Sequence, residues 1–549
     1  MRNPADIHPI QRLRRVLTPA SAIALMSFSL TARAAATAPT LPRTFDTTYA
    51  APSGRVISVS AGGNLQAAVD SANPGDTISL AAGSTFTGPL ALRNKSGSGW
   101  IYIQSSAYSK LPGPGTRVAI SDAANMAKIV VPSSAVHAIT TDTNAHHYRF
   151  VGIEISPTSN NYISTLIAIG GNDKSPSTLP NNIVFDRCYI HGDPTQGGRR
   201  GVEMDGQYIA VVDSYVSDWK EADADTQALW AYNTTGPLKI VNNYLEAAGE
   251  NIMFGGADSA ASTLIPSDIE IRNNYIFKPL SWIGSKWQVK NLLELKIGQR
   301  VLITGNRLEN IWPAAQTGWA MTVSPRNQDG GAPWTITQDI TIAANTFLNL
   351  GQGLRIGATD SDNPSQRTSR VLVKNNLVVV TGLNSADGRL FEVLQGPSDV
   401  AFDHNTGIIT GGVNTAHLWA DDSPPAANFT YTNNLTSNGM YGVKGTGLAD
   451  GLATISSQFS NYTFAKNAII GGNSSVYPSG NFFPASVSAV QFVNASGGDY
   501  RLASGSPYKN AGTDGLDIGA AIGAAATTVP STPATTDTVP KAPTNLEVN

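Results

Sequence analysis

Apolar and polar residues alternate in short runs that recur down the chain: IAVVDSY at Ile209, LKIVNNY at Leu238, IEIRNNY at Ile269, VLITGNR at Val301, ITIAANT at Ile340, VLVKNNL at Val371, VAFDHNT at Val400, FTYTNNL at Phe429 and YTFAKNA at Tyr462. Each run carries apolar side chains at its first and third positions, a period of two that predicts a strand and not a helix. Weaker copies, YRFVGIE at Tyr148 and IVFDRCY at Ile183, extend the array upstream. Asparagine marks eight of the units: Asn243, Asn274, Asn306, Asn345, Asn376, Asn405, Asn434 and Asn467, separated by 31, 32, 39, 31, 29, 29 and 33 residues. That interval lies in the range of solenoid repeats, whose stacked units share one core. Asparagine tolerates the left-handed backbone of a sharp bend, and its amide can bond the equivalent amide one coil away, so the column is expected to form a corner post.

A further short strand precedes most units: GVEMDG from Gly201, ALWAYN from Ala228, NIMFGG from Asn251, NLLELK from Asn291, AMTVSPR from Ala320 and GLRIGA from Gly353. With the short apolar run that follows each asparagine, this makes three strands per roughly 30 residues. Such a pattern predicts an all-β parallel β-helix of about eleven coils, stacked at about 4.8 Å into a length of about 50 Å.

On these repeats the chain resembles the right-handed parallel β-helix, or pectin-lyase-like, superfamily in its secreted bacterial form, over about Ala51 to Ala526. NLQAAVDSANPGDTISL (Asn64 to Leu80) is similar to the family's opening segment, with Leu65, Ala68, Val69 and Ala72 on one face of a capping helix. DYRLASGSPYKNAGTDGLDIGA (Asp499 to Ala520) is similar to the segment that closes many such stacks. The resemblance implies a fold and leaves the chemistry open, because the superfamily includes lyases, hydrolases, esterases, tailspikes and adhesins.

The ends of the chain differ in character. Arg12, Arg14 and Arg15 precede an apolar run from Leu17 to Leu30 and small residues through Ala36. Residues 1–36 therefore read as a secretory signal cleaved after Ala34 or Ala36, too short for a membrane span. Its removal takes away five arginines and Asp6, moving the formal charge from -3 to -7 (-3 - 5 + 1). Nucleic acid is thereby disfavoured as a partner. Residues 37–526 form the expected β-helix domain, and 527–549 a Thr/Pro-rich tail. The single cysteine, Cys188, excludes an intrachain disulfide and reads as a buried inert thiol.

Candidate chemistry gathers on one face. Alternation points Val202, Met204, Leu229, Ala231, Ile252, Phe254, Leu293 and Leu295 inward, and Glu203, Asp205, Trp230, Tyr232, Glu294 and Lys296 outward. In enzymes of the resembled superfamily this sheet floors the substrate cleft. Long turns bring Arg199, Arg200, Lys220, Asp223, Asp225, Glu250, Trp287 and Arg326 toward it, and inserted loops on one side of a solenoid mark the binding side. The coils from Leu372 to Asn467 carry fewer charges and read as structural.

Three chemistries fit these residues. A lyase acting on a uronic-acid glycan by β-elimination needs a cation for the sugar carboxylate and a base for the C5 proton. Glu203, Asp205, Asp223 and Asp225 are the candidate Ca²⁺ ligands, and Lys220 or Lys296 the base. An inverting glycoside hydrolase needs two carboxyls about 6.5–9.5 Å apart, with Glu203 and Asp205 the first choice and Glu250 and Glu294 the alternatives. The third possibility is a non-catalytic β-helix that binds glycan or attaches to a surface. Trp230, Tyr232, Trp287, Arg199, Arg200 and Arg326 are the expected substrate-binding set. No HxH, HExxH or CxxC spacing occurs, so zinc chemistry, nucleotides and organic cofactors have no support. The expected protein is a secreted monomer acting on polysaccharide, with no membrane span.

Overall fold

The computed structural model describes residues 36–522, except 133, 134, 136 and 422. The predicted signal and the Thr/Pro-rich tail lie outside the described residues, apart from Ala36. What is described is a right-handed parallel β-helix. Its strands fall into three long parallel sheets of fifteen, thirteen and twelve strands, visited in that order by each coil. The LKIVNNY-type units form the fifteen-stranded sheet, in which Leu238 pairs with Ile269 and Ile269 with Val301. The apolar run after each asparagine enters the thirteen-stranded sheet, and the GVEMDG-type strands make the twelve-stranded one.

Inward residues of all three sheets form one continuous core. The alternation predicted for the twelve-stranded sheet holds: Val202, Leu229, Ile252 and Leu293 are in register and fully buried. A short helix, Leu65–Ser71, caps the first coils. Asn64 caps it by accepting from the Ala67 amide, and Leu65, Ala68 and Val69 face the core.

The asparagine ladder runs as a chain of amide bonds. The backbone N–H and Nδ2 of Asn243 both donate to Oδ1 of Asn274, at 2.9 and 3.0 Å, and the pattern repeats at every step to Asn467, which donates to Asn481. Ser214 and Cys188 continue the column upstream. Cys188 is buried, and desolvation pushes its thiol up to about 12. One detail departs from expectation. The left-handed residue of the bend is the one before each ladder asparagine, including Asn242 (φ 58°), Ala344 (φ 54°) and Asn375 (φ 54°). The ladder side chain must point into the stack to reach its neighbour, so the preceding residue absorbs the turn.

Trp219 and Trp312 are fully buried core side chains.

Candidate functional site

Pairing of the twelve-stranded sheet lines up one outward column: Glu203, Trp230, Met253, Glu294, Thr322, Arg355, Glu392, Trp419 and Lys444. Neighbours in such a column lie about 4.8 Å apart, so Glu203 and Glu294, three strands apart, are separated by about 14 Å. They cannot act on the same bond.

The upstream end is built on Arg200–Asp205 and Gln227–Ala231. Arg200 lays its guanidinium 3.8 Å from the ring centre of Trp230 and donates from Nε to Gln227 Oε1 at 3.1 Å. Trp230 stacks on Tyr232 with ring centres 4.8 Å apart and donates Nε1–H to the Gly255 carbonyl at 2.7 Å. Trp230 faces outward as alternation requires, but Arg200 covers it, leaving 5% exposed. The less buried ring of the pair is Tyr232, whose hydroxyl donates to Gly171 O at 3.0 Å. Arg199 donates to the Asp225 carbonyl at 3.3 Å. Among the described residues, neither arginine has a carboxylate at ion-pair distance.

Glu203 and Asp205 share this strand and face. Asp205 is fully buried. Its Oδ1 accepts from the Tyr232 and Asn233 amides at 2.8 and 2.9 Å, while Oδ2 has no partner. Burial and the charge of Glu203 hold its carboxyl well above the usual range. Burial pushes Glu203 up to about 7 against the opposing pull of Arg200. Glu203 is partly exposed and has no hydrogen-bond partner among the described residues.

Glu250, Glu294 and Lys296 form a second cluster. Gln227 donates to Glu250 Oε2 at 2.8 Å, and Oε1 is buried without a partner. Burial and the charge of Glu294 push Glu250 up to about 7. Lys296 pairs with Glu294 at 2.9 Å. Burial disfavours its cation, but Glu294 and Glu250 outweigh that effect and raise the ammonium above its ordinary range. This environment is the opposite of what Lys296 would need to act as the base. The depressed lysine is Lys278, fully buried and brought down to about 7 by desolvation against the charge of Glu250. Its Nζ is enclosed by the carbonyls of Ala247, Ala248 and Gly249.

Lys220 is not on the outward column. It pairs with Asp218 at 2.8 Å and sits 5.9 and 5.7 Å from the ring centres of Trp282 and Trp287, as an ammonium between two indoles. Trp287 itself is half-buried. Asp225 pairs with Lys290, and Asp223 is exposed on its turn. The four proposed calcium ligands therefore do not converge: among the described residues, no three His, Cys, Asp or Glu side chains form a metal-binding group. The donor set does not fit the cation.

Sequence reading missed the downstream part of the face. Two adjoining clefts share Arg355. One, of about 370 Å³, is lined by Trp319, Arg389, Glu392, Trp419 and Asp421, and the other, of about 330 Å³, by Lys296, Ser324, Arg326 and Gln395. Arg389 lies 3.7 Å over the Trp419 ring and bonds Glu392, and Arg355 pairs with Glu392 at 3.1 Å. Arg326 is held by Asp360 and Asp362, each at 2.7 Å. Lys296 and Arg326 were in the expected set, whereas Arg389, Glu392, Trp419 and Asp421 lie in the coils from Leu372 to Asn467 that were expected to be structural.

No family model and no curated protein matches the chain. Among solved structures it is similar to the family PL6 alginate lyase AlyGC, with TM-score 0.48 and 14% identity over 77% of this chain and 53% of that one. It is also similar to the catalytic unit of a GH87 α-1,3-glucanase from Streptomyces thermodiastaticus (TM-score 0.46, 14% identity, 80% and 70%). A third likeness is to a mannuronic-acid-specific family 6 lyase from human gut microbiota (TM-score 0.45, 13% identity, 78% and 91%). The chain thus spans about half the length of the first of these.

Proposed function

We propose that this protein is a polysaccharide-cleaving enzyme that acts by β-elimination on a uronic-acid-containing glycan, with Glu203 as the base. One observation carries the reading: a partly exposed carboxyl pushed up to about 7, with no hydrogen-bond partner among the described residues, stands in the field of Arg200, which has no carboxylate at ion-pair distance among them. Arg199 and Arg200 hold the sugar carboxylate, and neutralising it makes the C5 proton more acidic. Glu203 takes that proton, the C5–H electrons form the C4–C5 double bond, and the C4–O4 bond breaks. The departing oxygen takes a proton from Tyr232, whose hydroxyl is kept protonated by burial and by the charges of Asp205 and Glu203. Proton return from Glu203 to Tyr232 resets the site. The downstream groove extends the binding face over seven strand spacings from Glu203 to Trp419, about 34 Å. Secretion, as the predicted leader implies, would place the enzyme with its polymer, acting as a monomer. No step in this scheme uses a metal ion.

A second reading, an inverting hydrolase, is favoured by the paired carboxyls of Glu203 and Asp205, both raised and two residues apart on one strand. Incubation with uronic-acid and neutral polysaccharides separates the two. Ultraviolet-absorbing unsaturated ends support elimination, and reducing ends without absorbance support hydrolysis. Binding without either product means a non-catalytic glycan-binding protein.

A further inference from the structure

Residues 36–50, ATAPTLPRTFDTTYA, make no strand or helix, yet they are bound along the outside of the fifteen-stranded sheet. Thr37 donates its N–H to Asp399 Oδ1 at 3.0 Å, Thr40 to Asp339 Oδ1 at 2.9 Å and Arg43 to Asp268 Oδ1 at 3.1 Å. Further along, Phe45 packs edge-on to Tyr208, its ring centre 5.6 Å away, and its carbonyl accepts from Lys239. The Ala50 carbonyl accepts from Tyr102 at 2.7 Å. The segment thus crosses from the coil of Asp399 to that of Tyr102, nine strand-to-strand steps, or about 43 Å.

The spacing has a physical cause. Asp268, Asp339 and Asp399 open every second strand of the sheet, so they stand about 9.6 Å apart. A polyproline-II chain rises about 3.1 Å per residue, so every third residue advances about 9.3 Å. The donors are residues 37, 40 and 43, and Pro39 and Pro42, which have no N–H to satisfy, fill the intervening places. The three aspartates take left-handed backbone conformations (φ 55–56°) that turn them out of the ladder. Arg300 and Arg370, on the intervening strands, pair with Asp268 at 2.7 Å and Asp339 at 2.6 Å. Arg43 adds a side-chain bond to Asp268, whose side chain is fully enclosed.

We propose that the column of Asp268, Asp339 and Asp399 is a docking site for an extended, proline-spaced peptide, filled here by residues 37–43, and that this strap couples coils with no direct contact into one unfolding unit. In a solenoid each coil touches only its neighbours, so end coils can open independently. A strap anchored at several coils makes their opening conditional on its release.

The test uses the full chain. Thr40→Pro, and the double variant Thr37→Pro/Thr40→Pro, delete the donated N–H groups while favouring the same backbone conformation. The account predicts a lower denaturant midpoint and faster amide exchange in the coils at both ends of the strap. It also predicts that a synthetic peptide of residues 36–50 restores exchange protection to the double variant, with the peptide carrying Thr37→Pro and Thr40→Pro at least about tenfold weaker. If the double variant is as stable as the parent, or more so because of its added prolines, and exchange is unchanged, the column is only an ion ladder and the proposal fails. Failure of the unsubstituted peptide to bind the folded double variant also overturns it.

Discussion

Arg200 stacks on Trp230 at 3.8 Å and bonds Gln227, but has no carboxylate at ion-pair distance among the described residues. On the same face Lys296, Arg326, Arg355 and Arg389 are each tied to an acid. An arginine held in place by an indole and an amide retains its charge for an incoming anion. Arg200→Ala is expected to lower kcat/KM on an acidic glycan by about 10- to 100-fold, the size of a lost charge-assisted bond. Arg200→Lys should rescue little, because a point charge cannot both stack and bind in bidentate fashion. Steady-state kinetics on both variants checks this, and the newly uncovered Trp230 should report through its fluorescence.

Glu203 must be ionised to act as the base, and its carboxyl is pushed up to about 7. Activity should therefore rise with pH through about 7 and level off above it. Glu203→Gln should lose about 10²- to 10⁴-fold in turnover without lowering the unfolding midpoint. A pH–rate profile of the parent and the thermal unfolding of the variant measure the two halves of this prediction.

Asn345 accepts both the backbone and side-chain N–H of Asn306 and donates to Asn376 and to the Ile303 carbonyl. Asn345→Ala leaves buried donors on Asn306 without an acceptor. The expected cost is on the order of 2–5 kcal/mol, as two or more buried groups lose their partners. Denaturant titration measures it, and an exposed control such as Asn94→Ala should show a small change.

Glu246 is raised to about 7 by burial and by the charge of Asp218, although Tyr244 and the Asp218 amide bond it. The folded chain holds this proton between about 4.5 and 7, where the unfolded chain releases it. Its contribution to stability is therefore complete below about pH 4.5 and is lost as pH rises through about 7. Glu246→Gln should flatten that part of the stability profile, which urea midpoints across the interval will show.

The repeat was legible in the sequence because a ladder demands the same residue at every step. Asn243, Asn274 and Asn306 recur visibly for the same reason that they bond one another. The outward orientation of Glu203, Trp230 and Tyr232 followed from alternation alone. The cover that Arg200 places over Trp230 did not, because it depends on register between two coils. The Glu294–Lys296 pair was present in the i, i+2 spacing, which puts both on one face, and its consequence is a firm cation. The downstream groove was hidden because Arg355, Glu392 and Trp419 lie about 30 residues apart and meet only when the strands stack. The 37–43 strap resembles a linker until its proline period is set against the spacing of two coils.

Product analysis of the parent and Glu203→Gln proteins on a panel of uronic-acid polysaccharides tests the central claim most directly. The account predicts unsaturated, ultraviolet-absorbing ends from the parent at pH 8 and almost none from the variant. Reducing ends without absorbance, or undiminished absorbance from Glu203→Gln, would contradict it.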